Sequence, residues 1–83
     1  MIKIGHTYYV ALIEDVLTVK VLEKGDGGYN LKRRFANPYL VKILKGKYDV
    51  GSDLVVAARD LHSDFFAAAM KSAALYEQAF VGN

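Results

Sequence analysis

The 83-residue sequence contains no cysteine, and none of its apolar runs is long enough to cross a membrane as a helix. Without cysteine the chain cannot form a disulfide framework, a thiol nucleophile or a cysteine-based zinc site. A membrane-spanning helix needs roughly 18 consecutive apolar residues, and segment 1–6 also lacks the apolar core of a signal peptide. We therefore expect a cytoplasmic protein that does not bind a membrane.

The composition is that of a folded protein small enough for a single domain. Apolar residues make up 53% of the chain and charged residues 24%, a balance that excludes disorder for most of its length. Surface scaling predicts that a chain of this size buries only about 60% of the surface of its extended form. We expect residues 1–83 to form one domain with one small core.

The first half of the sequence has the alternation and the β-branched and aromatic residues of an antiparallel sheet. Strands are predicted over 7–13, 16–23, 29–35 and 39–45. Turns are predicted at Glu14-Asp15, at the glycine-rich segment 24–28 and at Asn37-Pro38. The pattern favours a meander, in which each strand pairs with the next.

The segment 53–62 has two interpretations. Val55 and Val56 favour a fifth strand, whereas Ser52 and Asp53 could equally begin a short helix. Both interpretations stay open from the sequence alone.

The alanine-rich last third predicts a helix over about 63–80. Ser63 is the expected N-cap, and Asp64 would then lie in the first turn, near the positive end of the helix dipole. Gly82 is expected to end the helix. The fold class predicted is α+β, a four- or five-stranded antiparallel meander with a C-terminal α-helix.

The segment Gly5-His6-Thr7-Tyr8-Tyr9-Val10-Ala11, with the strand-like segments 17–22 and 27–31 behind it, resembles the opening of SH3-like small barrels of the Tudor and KOW type. In those modules a glycine and an aromatic residue lead into the first strand, a hairpin follows, and a short basic strand packs across it. The resemblance covers residues 5–61 and implies a barrel with 37–43 and 54–61 as its fourth and fifth strands. It also implies binding of nucleic acid or of peptide tails.

The net charge of +2 conceals an uneven distribution. Residues 32–47 carry six basic and no acidic residues, whereas residues 48–83 carry two basic and five acidic ones. Basic residues interleaved with aromatic ones on adjacent strands can contact two or three phosphates, and tyrosines can stack on bases. The nucleic-acid-binding candidates are Lys32, Arg33, Arg34, Lys42, Lys45 and Lys47, with Tyr29 and Tyr39 as stacking candidates. The same residues could instead meet an acidic protein surface or simply keep the sheet solvated.

The remaining polar residues form no catalytic or metal-binding pattern. His62 lies between Asp60 and Asp64, but a metal site needs three or four converging ligands, and nothing in the sequence brings His6 near. The serines lack a nucleophile-elbow context, and segment 24–28 lacks the spacing of a phosphate-binding loop. We expect no enzymatic activity, no metal and no cofactor.

The predicted helix is apolar on most of its circumference. It could cover the open side of the sheet and complete the core of the monomer. Alternatively, one arc covers the sheet and another meets a second copy or another protein, which would give a two-fold homodimer. The candidate interface residues are Phe66, Ala69, Met70, Ala73, Tyr76 and Phe80.

These features predict a small non-catalytic regulatory protein, of the size often encoded by phages and plasmids, that contacts nucleic acid through its basic strands. The alternative is a protein-interaction or inhibitor protein that docks on a larger target without binding nucleic acid. In that case the helix, or the acidic residues Asp53, Asp60 and Asp64, would form the contact.

Overall fold

The computed structural model describes residues 1–25 and 37–81. These ranges contain an antiparallel sheet and a C-terminal helix, so the predicted α+β fold is confirmed. The elements are β1 (Thr7–Ala11), β2 (Val16–Lys24), β3 (Pro38–Lys45), β4 (Asp53–Ala57) and α1 (Phe65–Tyr76). A 3-10 turn, Ala58–Asp60, follows β4, and a π-helical turn, Glu77–Val81, extends α1. The predicted strand 29–35 and most of the predicted turn 24–28 lie outside the described residues.

The four strands form one open sheet in the order β1-β2-β3-β4, and every neighbouring pair is antiparallel. The chain leaves the sheet after β2 and re-enters it at Pro38, whose carbonyl accepts a hydrogen bond of 2.9 Å from the N–H of Gly25. The last strand is 53–57, so the strand interpretation of this segment is correct and the helical one is wrong. Its β-branched residues favour the extended backbone that pairs with β3.

Alternation along the strands puts the apolar side chains on one face, which we call the inner face. Val19, Val21 and Val41 are completely buried there. Leu61 adds to the same cluster from the segment after the 3-10 turn. The core residues are Tyr8, Val10, Leu17, Val19, Val21, Val41, Ile43, Val56 and Leu61.

The segment after β4 returns to the first strand. The N–H of His62 donates to the carbonyl of Tyr9 (2.9 Å), and the N–H of Tyr9 donates to the carbonyl of His62 (2.8 Å). The N–H of Ala58 donates to the carbonyl of Asn37 (3.0 Å) and fixes the start of the return. These bonds cover part of the free edge of β1, where unpaired backbone groups would otherwise be exposed.

The helix begins one residue later than predicted. Asp64 is the N-cap, because its backbone is extended and its Oδ1 accepts a hydrogen bond of 3.3 Å from the N–H of Phe66. The prediction of Ser63 as the cap is therefore wrong; both residue types cap helices well, and the sequence does not distinguish two adjacent candidates. In the described ranges, no helix combines the length and the apolar character needed to span a bilayer.

The helix lies against β1 and the loop between β1 and β2. The rings of Phe65 and Tyr9 meet edge to face, with their centroids 5.6 Å apart and their planes at 88°. The hydroxyl of Ser72 donates to the backbone carbonyls of Leu12 and Asp15. The helix buries Ala68 and Ser72 in this contact, whereas the core cluster consists of residues from the sheet and Leu61.

Candidate nucleic-acid interface

Two lysines lie side by side on the outer face of the sheet, which is the face opposite to the core. The pairing register sets Thr7 opposite Lys20, Lys20 opposite Lys42 and Lys42 opposite Asp53, so these residues form one row across all four strands. Neighbouring strands are about 4.8 Å apart. Like charges directly opposite each other destabilise an antiparallel pair, so this row concentrates positive charge at a cost to the sheet.

A bulge in β3 brings a third lysine to the same face. Ile43 and Lys45 pair with consecutive residues of β2, so Leu44 is an extra residue in the strand. Strict alternation from Lys42 would turn Lys45 towards the inner face, whereas the bulge returns it to the outer face. Lys45 is exposed there. We call Lys20, Lys42 and Lys45 the lysine cluster.

The charge of Lys42 is partly compensated. Its Nζ lies 3.2 Å from Oδ1 of Asp53 and donates a hydrogen bond of 3.2 Å to the carbonyl of Gly51. Both side chains of the ion pair are about half exposed, so the pair contributes little to stability. Its main effect is to hold the ammonium group at a defined place, while Lys20 and Lys45 carry the excess positive charge.

The other predicted binding residues have varied positions. Lys47 is exposed in the loop after β3, and its N–H donates a hydrogen bond of 2.7 Å to Oδ2 of Asp15. Tyr39 is half-buried and packs against the core, so the structure does not place it beside the lysine cluster. Four candidates lie outside the described residues: Tyr29, Lys32, Arg33 and Arg34.

Sequence reasoning missed Lys20, which precedes the basic segment. The alternation of strand 16–23 already places Lys20 on the face opposite to Val19 and Val21. The missing information was the register, because only pairing between β2 and β3 shows that Lys20 faces Lys42.

A groove of about 700 Å³ runs between the outer face and α1. Lys45, Thr18 and the aromatic pair of Tyr9 and Phe65 line it, with Glu14 and Asp15 also in its wall. The side chain of Phe65 is half exposed. An aromatic ring next to an ammonium group suits a ligand that combines a planar group with a negative charge.

The predicted oligomer residues mostly lie on the side of α1 that faces away from the sheet. The exposed fractions are 75% for Phe66, 73% for Met70, 64% for Phe80 and 43% for Tyr76. Ala69 is half-buried and lines the groove instead. Ala73 is exposed like the large residues. We call Phe66, Met70, Ala73, Tyr76 and Phe80 the exposed arc.

The titratable residues near the return segment have structural contacts. His62 makes the backbone bridge to Tyr9, and Asp64 caps α1. Within residues 1–25 and 37–81, no three histidine or acidic side chains gather as a metal site would require.

Comparison with known proteins adds no relative. The chain matches no protein-family model, and neither the curated proteins nor the solved structures contain a significant match to it.

Proposed function

We propose that this protein is a small, non-catalytic binding protein whose lysine cluster contacts the phosphate groups of nucleic acid. The observation that carries the proposal is the row in which Lys20 and Lys42 face each other, with Lys45 brought to the same face by a bulge. Ammonium groups on neighbouring strands repel each other, and a phosphate bound between them would offset that repulsion.

The chemistry of the cluster favours binding that tolerates many sequences. Lysine acts as a point charge and lacks the planar fork with which arginine recognises bases. Contacts to phosphates position a protein on nucleic acid without reading its sequence. The groove beside Lys45 adds the rings of Tyr9 and Phe65, on which an unpaired base could stack. We infer a preference for single strands, with Lys32, Arg33, Arg34 and Lys47 extending the basic surface.

We further infer that the fold is an SH3-like barrel. The resemblance of segment 5–31 to such modules supports this, as does the return of the chain after β4 to bridge β1 through Tyr9 and His62. Bonding between the first strand and the segment after the last one draws the open sheet towards closure. An experimental structure of the full chain tests this inference, and an unpaired outer edge of β1 would contradict it.

The salt dependence of binding tests the proposed function. The probe is a labelled single-stranded oligonucleotide of mixed sequence, and its affinity is measured by fluorescence anisotropy over a series of salt concentrations. Each lost phosphate contact on a single strand lowers the slope of log affinity against log salt by about 0.7. Lys20→Gln combined with Lys45→Gln should therefore reduce the slope by about 1.4 and weaken binding at every salt concentration.

The matched control combines Lys3→Gln with Lys71→Gln, which removes the same charge away from the lysine cluster. This control should leave the slope unchanged. The proposal fails if the wild-type chain does not bind at low salt, or if both double variants change the slope equally.

The exposed arc favours docking on a larger protein as a second candidate function. Asp53 and Asp64 are engaged in an ion pair and a helix cap, so the arc is the better candidate for such a contact. Binding to the larger protein would depend little on salt, and the change of Lys20 and Lys45 to glutamine would not affect it.

A further inference from the structure

We propose that the exposed arc of α1 is a self-complementary interface occupied by a second copy of this chain, with a two-fold axis passing at Ala73. The arc and the lysine cluster lie on different surfaces of the molecule. The inference is therefore independent of nucleic-acid binding, and it competes with a larger protein for the same face.

The spacing along the arc is that of a seam between paired helices. Phe66, Met70, Ala73, Glu77 and Phe80 follow one another at intervals of four, three, four and three residues. This interval pattern keeps side chains on one line of a helix surface, as in coiled coils. The body of the protein contacts the opposite side of α1, at Ala68 and Ser72, so the seam is free to meet another helix.

The side chains of the arc are arranged symmetrically around Ala73. Met70 and Tyr76 lie three residues before and after it, and Phe66 and Phe80 lie seven residues before and after it. In an antiparallel pair related by a two-fold axis at Ala73, each residue meets the one equally far on the other side of the centre in the second copy. Met70 then meets Tyr76 of the second copy, and Phe66 meets its Phe80.

The small side chain at the centre makes close approach possible. Two alanines at the axis let the helices come together, and the larger residues on either side fill the space where the helices diverge. The rings of Tyr76 and Phe80 already pack against each other, with centroids 5.0 Å apart. This contact orders half of the interface before the second copy binds, which lowers the entropy cost of association.

The exposed area is sufficient for a weak dimer. The four large side chains of the arc are between 43% and 75% exposed. With roughly 200 Å² for each such side chain, they offer about 500 Å² per copy, an apolar patch of the size that is often functional on a monomer. Two copies would bury about 1,000 Å², which is the lower limit for a specific interface.

Glu77 is the charged residue in this seam and lies at the start of the π-helical turn. A single polar residue in a helix seam lowers affinity while disfavouring other registers. In the proposed register it faces Ala69 of the second copy. Replacement of Glu77 by alanine should therefore tighten the dimer several-fold.

Light scattering over a concentration series tests self-association of the full chain. We expect a dimer with a dissociation constant on the order of 10 µM, given the small interface. Met70→Glu should weaken it at least tenfold, because it buries a second charge in the seam. Ala67→Glu is the matched control on an exposed position outside the arc, and it should leave the dimer intact. A particle that stays monomeric far above this concentration, or equal effects of both variants, overturns the proposal.

Cross-linking tests the position of the axis. Because the chain has no cysteine, Ala73→Cys introduces a single thiol, and two copies in the proposed register bring these thiols together at the axis. Mild oxidation should give a disulfide-linked dimer for Ala73→Cys and not for Ala67→Cys. Cross-linking of both variants at the same rate, or of neither while the dimer persists, overturns the axis at Ala73.

Discussion

At the scale of single residues, the structure leaves no room for a side chain at Gly46, directly after β3. A Cβ added there would overlap with Cδ2 of Leu17, a core residue that is only 3% exposed. Relief would require Leu17 to leave its position in a packed core. We expect Gly46→Ala to lower the free energy of unfolding by about 1–3 kcal/mol, as overpacking does elsewhere, measured by urea denaturation.

A double-mutant cycle separates this overlap from a general intolerance of the loop. Leu17→Val shortens the side chain that a new Cβ would meet, so Gly46→Ala should cost less in that background than in the wild type. Additive costs of the two substitutions would show that the overlap is not the cause.

The start of α1 depends on one carboxylate. Asp64 accepts the hydrogen bond from the N–H of Phe66, and neighbouring Ser63 makes no such cap. Asp64→Ala should cost about 0.5–2 kcal/mol of stability in thermal unfolding because a helix N–H loses its partner. Ser63→Ala is the control and should stay within about 0.5 kcal/mol of the wild type. The reverse order of the two effects would contradict the assignment of the cap.

At the scale of elements, α1 is held to the sheet by few contacts, of which the hydroxyl of Ser72 is the central one. It donates to carbonyls at both ends of the loop between β1 and β2, those of Leu12 and Asp15. Ser72→Ala removes the donor and leaves these carbonyls without it, which should cost about 1–2 kcal/mol. Because the helix contributes little to the core, we expect the loss to appear first as local detachment of α1.

Hydrogen exchange distinguishes local from global effects of this substitution. Amide protection should fall in α1 and stay nearly unchanged in the central strands β2 and β3. Ser52→Ala, at an exposed site before β4, is the control. A uniform loss of protection across helix and sheet would mean that α1 and the sheet unfold as one unit.

The elements differ in how far they could be predicted from the sequence. Alternation indicated strands at 7–13, 16–23 and 39–45, because those segments have one buried and one exposed face. Segment 53–57 stayed ambiguous, since a short apolar run fits a strand or a helix until a pairing partner is known. The bulge at Leu44 could not be predicted either, because it exists only in the register of β3 against β2.

At the scale of the whole molecule, the candidate site is formed by residues that the linear charge pattern does not group. Counting charges along the chain singled out residues 32–47 and passed over Lys20, which reaches the lysine cluster through strand pairing. The helix shows the same limit. Its wheel is apolar nearly all round, so the sequence did not indicate that the small residues Ala68 and Ser72 would face the protein body and the large ones solvent.

The bridge between Tyr9 and His62 also has a kinetic consequence. The hairpins β1–β2 and β3–β4 join residues that are close in the chain, whereas this bridge closes a loop that spans most of the sequence. Closing a long loop costs more entropy, and contacts between distant residues form slowly. The hairpins therefore assemble early and the bridge late, so the return segment 58–62 and the helix behind it are the first parts to come away when the protein unfolds.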